Sequence, residues 1–141
     1  MSTNKNYRIS TIIAGFTLVC YLFFSSCQQK PYGQGENLYQ AYCATCHMNE
    51  GQGLKSLIPP LAQADYLKLN REKLACIIRY GIEDSLIVNG KRYEQPMAGI
   101  DKLNAVEITN ILNFVGSSWG NELEAFSLKE IEAQLESCVP K

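Results

Sequence analysis

Cys43-Ala44-Thr45-Cys46-His47 sets two thiols three positions apart, with a histidine directly after the second. That spacing is the C-x-x-C-H attachment site of a c-type haem. The two sulfurs, about one helical turn apart, can each form a thioether to one vinyl group of the same porphyrin. The next residue then lies under the iron as its proximal ligand. His47 is the only histidine in the chain, so no other residue supplies an imidazole. A bare C-x-x-C also serves as a redox dithiol or as half of a zinc site. A zinc site calls for a second ligand pair, and Cys76 and Cys138 stand alone. A thioredoxin-type motif opens a helix after a strand, and no βαβ pattern surrounds this one. Haem attachment uses both thiols and the imidazole together.

The sixth iron ligand separates the functions open to such a site. An electron carrier caps the iron on both faces and changes oxidation state with little rearrangement; a sensor leaves one face open or weakly held. Thioether sulfur is a soft ligand that raises the reduction potential. Of the three methionines, Met1 belongs to the N-terminal segment and Met48 adjoins the proximal ligand, where it does not reach the far face. Met97, flanked by Pro96, Ala98 and Gly99, is the candidate. A methionine filling a gap in the core is the competing reading. A peroxidase-type enzyme needs a distal base, and no second histidine exists to serve as one. The chain therefore reads as an electron carrier without a small-molecule substrate, with a haem-based gas or redox sensor as the alternative.

Cys76 and Cys138 remain. Two free thiols in an oxidising compartment are exposed to damage, so a disulfide is the expectation. It would staple a C-terminal helix to the domain; two unrelated buried cysteines are the other possibility.

The elements that must position these groups are marked by local signals. Residues 1–26 read as an export signal, with Lys5 and Arg8 forming a positive start. An uncharged run from Ile9 to Gln29 comes next, apolar from Ile12 to Phe24. An uncleaved anchor competes, because the run is nearly long enough to span a bilayer. Phe24-Ser25-Ser26-Cys27 resembles a bacterial lipobox, with Phe24 where leucine is usual, and makes Cys27 the expected lipid-attachment residue. Every version puts the domain outside the cytoplasm, on the periplasmic or outer-surface side of a bacterial membrane, with the lipid-anchored periplasmic side expected. Residues 27–34, rich in Gln, Pro and Gly, read as a tether, and 35–138 as the domain. The 141 residues carry 13 basic and 14 acidic side chains, so no basic surface argues for nucleic acid. Removing Lys5 and Arg8 with the signal leaves a net charge of −3. The excess acid is in the tail (Glu122, Glu124, Glu130, Glu132, Glu136) and reads as a solvated helix face.

A first helix starts near Gly35 and runs into the haem motif. Met48 to Gln63, with Gly51, Gly53, Pro59 and Pro60, is a loop wrapping one side of the cofactor. A second helix runs from Asn70, as N-cap, to Tyr80, with Leu74, Ile77 and Ile78 on its apolar face. Asn89-Gly90 between β-formers predicts a tight hairpin. Asn104 and Glu107 form a capping box, and Ile108, Ile111, Leu112 and Val115 continue at helical spacing. Ser127 and Glu130 cap a last helix, about 127–138, with Leu128, Ile131 and Leu135 on one face. The fold class is all-α: about four helices around one covalently bound haem, with a short β-hairpin before the Met97 loop.

The chain resembles the class I monohaem cytochromes c over about residues 33 to 138. Gly35, Tyr39, Cys43, Cys46 and His47 match that family's N-terminal helix and haem site, and Phe114 matches the aromatic residue of its C-terminal helix. The resemblance implies that those two helices cross where Gly35 lets the backbones approach. Pro59 and Leu61 fall on the family's Pro-x-Leu, which implies that a proline carbonyl, from Pro59 or Pro60, accepts the second N–H of the proximal histidine. The stretch Val88-Asn89-Gly90 to Tyr93, then Met97, then Ser118-Trp119-Gly120-Asn121, is similar to one subgroup. There the usual order is Met-Pro, whereas here Pro96 precedes Met97. The resemblance further implies one haem c and His47/Met97 ligation. It also implies redox-protein partners on the donor and acceptor sides, such as a respiratory reductase or oxidase.

Overall fold

The computed structural model describes residues 32–138. The expected signal (1–26), Cys27 and the start of the tether lie outside the described residues. Helix α1 (Gly33–Tyr42) begins two residues before the expected start. It leads through Cys43 into the single turn α2 (Ala44–His47). The next loop is folded by its own backbone bonds, from the Gly53 N–H to the His47 carbonyl at 3.0 Å and from the Leu61 N–H to the Gly51 carbonyl at 2.7 Å.

The second helical segment differs from the expected single helix starting at Asn70. A short helix, α3 (Asp65–Leu69), comes first. A 3₁₀ turn (Arg71–Lys73) is next, and then α4 (Leu74–Tyr80). Asn70 separates the pieces with φ −123° and ψ 28°. Its side chain donates back to the Tyr66 carbonyl at 3.1 Å instead of capping the 3₁₀ turn, so the helix breaks there.

Strands β1 (Gly81–Ile82), β2 (Leu86–Val88), β3 (Lys91–Tyr93) and β4 (Met97–Ala98) make two antiparallel ribbons. The pair β2–β3 is the Asn-Gly hairpin, its turn residues Asn89 and Gly90 at φ 50° and 75°. The pair β1–β4 sets Gly81 opposite Ala98 and Ile82 opposite Met97. Helix α5 (Ala105–Ser117) opens on the expected capping box. The Glu107 N–H donates to Asn104 Oδ1 at 3.0 Å, and the Asn104 N–H donates to Glu107 Oε2 at 2.8 Å. Helix α6 (Leu128–Ser137) opens on Ser127, whose hydroxyl accepts from the Glu130 N–H at 3.1 Å.

The described residues thus hold six α-helices, a 3₁₀ turn and two small ribbons. This corrects the all-α, four-helix expectation: the domain is a mixture of helix and short strand. Helix α1 crosses α5 at Gly35, where an added Cβ would strike the Asn110 carbonyl oxygen and come within 2.8 Å of the Phe114 Cβ. Only a residue without a side chain permits that approach. Beside the crossing, Tyr39, Phe114 and Trp119 pack ring on ring, with centroids 5.0 to 5.4 Å apart. Ile108, Ile111, Leu112 and Val115 of α5 share one buried core with Leu74 and Ile78 of α4 and with Leu103.

Helix α6 presents Ile131 and Gln134 inward, while Leu128 is exposed, unlike the expected Leu128–Ile131–Leu135 face. Glu130 also departs from the expected solvated face. The Arg71 guanidinium donates to both Glu130 carboxylate oxygens, at 2.8 and 2.9 Å, and to the Glu124 carbonyl at 2.8 Å, and it stacks on the Phe126 ring. Among the described residues no helix is long and apolar enough to cross a membrane.

Candidate haem site

The loop after α2 carries the element that fixes His47. Gly53 holds φ +68°, and an added Cβ there would strike the Ile58 carbonyl and lie 2.6 Å from that of Pro59. The bare glycine lets this stretch of backbone fold under the imidazole. His47 Nδ1 lies 3.1 Å from the Pro59 carbonyl oxygen. A carbonyl only accepts, so Nδ1 carries the proton and Nε2 presents a lone pair. His47 is buried, and burial lowers its pKa against the smaller opposing pull of the Pro59 carbonyl. The ring is therefore neutral and oriented, as a metal-ligating imidazole must be. Of the two neighbouring prolines, Pro59 supplies the carbonyl; Pro60 and Leu61 line the wall beside it.

Cys43, Cys46 and His47 open onto a cavity of about 510 Å³. Leu67, Leu74, Ile77 and Ile78 line it from α3 and α4, and Ile111, Leu112 and Val115 from α5. Ile82, Leu86 and Val88 line it from the ribbons, together with the run Gln95 to Ile100 that includes Met97. No Asp, Glu, Lys or Arg is among the lining residues. Such a wall keeps charge and water away from a bound group.

The thiol chemistry separates the readings that compete for the C-x-x-C pair. Cys43 and Cys46 are unbonded. Burial, helped by the neighbouring Cys46, pushes the Cys43 thiol up to about 11. An attacking thiol works through a lowered pKa, so Cys43 is not set up as the nucleophile of disulfide exchange. Among the described residues no cluster of three or more His, Cys, Asp or Glu could hold a metal ion, which leaves zinc without ligands. A covalently held haem fits the groups present: two free thiols, a neutral imidazole with a lone pair to give, and an apolar chamber.

The Met97 segment is hung on the end of α4. Besides the β1–β4 pairing, the Ile100 N–H donates to the Ile78 carbonyl at 2.8 Å. Gly99 sits so close to the Arg79 and Tyr80 backbone that a Cβ would lie 2.5 Å from the Tyr80 carbonyl carbon. Met97 itself is half-buried in the cavity wall. Sequence reasoning missed this second ribbon; its signal was the pair of glycines, Gly81 and Gly99, bracketing the segment. It named Asn121 only within the subgroup resemblance and without a role; its amide donates to both the Leu61 carbonyl (2.9 Å) and the Val115 carbonyl (2.8 Å), tying the proximal loop to α5. Cys76, in α4, and Cys138, after α6, are joined by a disulfide, and neither lines the cavity.

Comparison with known proteins places these features in a family. Residues 31–115 match the family described as cytochrome c oxidase, cbb3-type, subunit III. The chain is 33% identical over 104 residues to a cytochrome c-552 of Thermus thermophilus, covering 71% of this chain and 79% of that one. It is 34% identical over 92 residues to the cytochrome c subunit of a quinone alcohol dehydrogenase of Gluconacetobacter polyoxogenes. That match covers 62% of this chain and 19% of the relative. The corresponding subunit of Gluconobacter oxydans is 30% identical over 91 residues, covering 62% of this chain and 18% of that one.

Proposed function

The chain is a member of the cytochrome c family, an electron carrier rather than an enzyme, and on that footing we propose that it carries single electrons on one haem c. The haem is bound by thioethers from Cys43 and Cys46 and ligated by His47 and Met97. The observation that carries the reading is the His47–Pro59 hydrogen bond at the wall of a cavity that both thiols and Met97 also line. Bound there, haem supplies the one-electron ferric/ferrous couple.

The protein residues do the rest. The Nδ1–H bond to Pro59 holds the ring and strengthens its donation through Nε2. Met97 presents a soft sulfur that favours the reduced state. The aliphatic walls from α4, α5 and the hairpin exclude water, so charging the site requires little solvent rearrangement. Helix packing at Gly35 and the staple of Asn121 hold the proximal side in place, and the pairing of the Met97 segment with the end of α4 holds the other.

The cellular setting completes the proposal. Residues 1–26 direct export, Cys27 carries the lipid, and the domain works at the periplasmic face of a bacterial membrane. Its partners are redox proteins, a donor and an acceptor, met in brief complexes. The relative named as the cytochrome c subunit of a quinone alcohol dehydrogenase supports a redox enzyme as partner.

Absorption spectra of the exported protein, oxidised, reduced, and reduced under carbon monoxide, test this. We expect covalent haem, a thioether–iron band, and no carbon monoxide shift in wild type. Met97→Ala should lose the band and bind carbon monoxide readily. Ready binding by wild type would replace electron carriage with the sensing reading, and absence of covalent haem would end both.

A further inference from the structure

We propose that helix α6 positions the Met97 side of the haem site through α4, with Gln134 as the positioning residue. The inference rests on Met97 being an iron ligand. None of the cavity-lining residues comes from α6, so any influence it has is indirect.

The connection has two halves. Met97 rides on the C-terminal end of α4: β1 continues from Tyr80 without a break, β4 pairs with β1, and Gly99 and Ile100 lie against the last turn of the helix. The N-terminal end of α4 is held by α6. Gln134 is 7% exposed, the only buried amide side chain among the described residues. Its Oε1 accepts the Ala75 N–H at 3.1 Å, and its Nε2 donates to the Arg71 carbonyl at 3.1 Å. The first N–H groups of a helix have no partner within it. Here one of them is met from another helix. The Cys76–Cys138 disulfide and the Arg71–Glu130 fork fasten the same two segments.

The seven-residue α4 is therefore clamped at one end and bears the ligand segment at the other. A helix this short has little stability of its own. Its orientation is set by the core packing of Leu74, Ala75 and Ile78 together with the contacts that hold its ends. Loosening the α6 clamp should let the Met97 segment leave the iron more often, while the fold and the proximal side stay intact.

The test is carbon monoxide binding to the reduced holoprotein, with the thioether–iron band as second readout. Gln134→Met keeps the volume and removes both hydrogen bonds. Ile131→Val loosens α6 packing but keeps those bonds, and controls for simple loss of stability. We expect carbon monoxide to bind Gln134→Met roughly five- to tenfold faster than wild type, the low end of the scale for two buried hydrogen bonds. The Ile131→Val rate should stay within about twofold of wild type, as expected when the two bonds persist. Reducing the disulfide of the wild-type holoprotein makes the same test without a substitution and should act in the same direction. Wild-type rates in Gln134→Met and in the disulfide-reduced protein would overturn the proposal. So would equal acceleration in Ile131→Val and Gln134→Met. If Met97→Ala leaves the band and the carbon monoxide rate unchanged, the ligand assignment itself fails and this inference falls with it. If Met97→Ala responds and the clamp variants do not, only the clamp is wrong.

Discussion

Gly53→Ala should be a damaging single-methyl change in the haem-site loop, and Gly90→Ala is its internal reference. Both glycines hold positive φ, +68° and +75°. Placing alanine in that region costs about 1–2 kcal/mol at either position. The entropy that alanine removes from the unfolded chain is shared by both variants and cancels in their difference. The surroundings do not cancel. A Cβ at Gly90 meets nothing within 4 Å, whereas one at Gly53 meets the Ile58 and Pro59 carbonyls. Those are backbone atoms of a hydrogen-bonded loop and cannot rotate aside. Displacing them costs about 1–3 kcal/mol by analogy with overpacked cores. Moving Pro59 also weakens its bond to His47 Nδ1, worth about 1 kcal/mol. Gly53→Ala should therefore lose about 3–6 kcal/mol and Gly90→Ala about 1–2.

Urea unfolding of the holoproteins measures the difference, tracked by the fluorescence of the single tryptophan, Trp119, as it leaves the quenching haem. A second readout reports on the site. Weakening the Nδ1–H bond reduces electron donation from the imidazole, so the reduction potential of Gly53→Ala should rise while that of Gly90→Ala stays at the wild-type value. Equal losses of stability in the two variants, with equal potentials, would refute the claim that Gly53 is required by its approach to Pro59.

Cys76→Ser opens a cross-link spanning 62 positions, which the chain-entropy relation values at about 4 kcal/mol; its melting temperature should fall by more than about 10 °C, and an unchanged melt would contradict the bond. Tyr39→Phe removes a hydroxyl that donates to the Met48 carbonyl at 2.6 Å and should cost about 1–2 kcal/mol at neutral pH. The same substitution should flatten the alkaline limb of stability. Burial raises the Tyr39 pKa above its ordinary value of 10.0. Between those two values the unfolded chain has released a proton that the folded chain keeps, so stability falls as pH rises above about 10. Phenylalanine has no such proton, and unfolding measured against pH should show the difference.

The parts legible in the sequence are those whose physics lies within a few residues. The C-x-x-C-H spacing, the Asn104/Glu107 capping box, the Ser127 cap and the Asn89-Gly90 turn each need only a local backbone geometry and a side chain to match. The two caps and the turn appear where the pattern places them. Fold class was legible in outline, because helical periodicity marks long helices such as α5. It failed where segments are short: α3 and the two-residue strands β1 and β4 carry too few residues for any period to show.

Tertiary structure alone decided the pairings between distant residues. The pattern Pro59-Pro60 offers two carbonyls, and only the folded path of the Gly51–Leu61 loop puts that of Pro59 on His47. The Met97 segment reads as an irregular loop until it pairs with Gly81–Ile82 at the end of α4. Glu130 and Gln134 look like ordinary polar positions of a surface helix. Their partners, Arg71 and the first turn of α4, lie far back in the chain, at separations of 59 to 63. A polar side chain carries no local mark of whether water or a distant backbone will satisfy it. That is settled only when folding removes the water, and this is why chemistry at the haem motif could be read from five consecutive residues while the clamp on its far side could not.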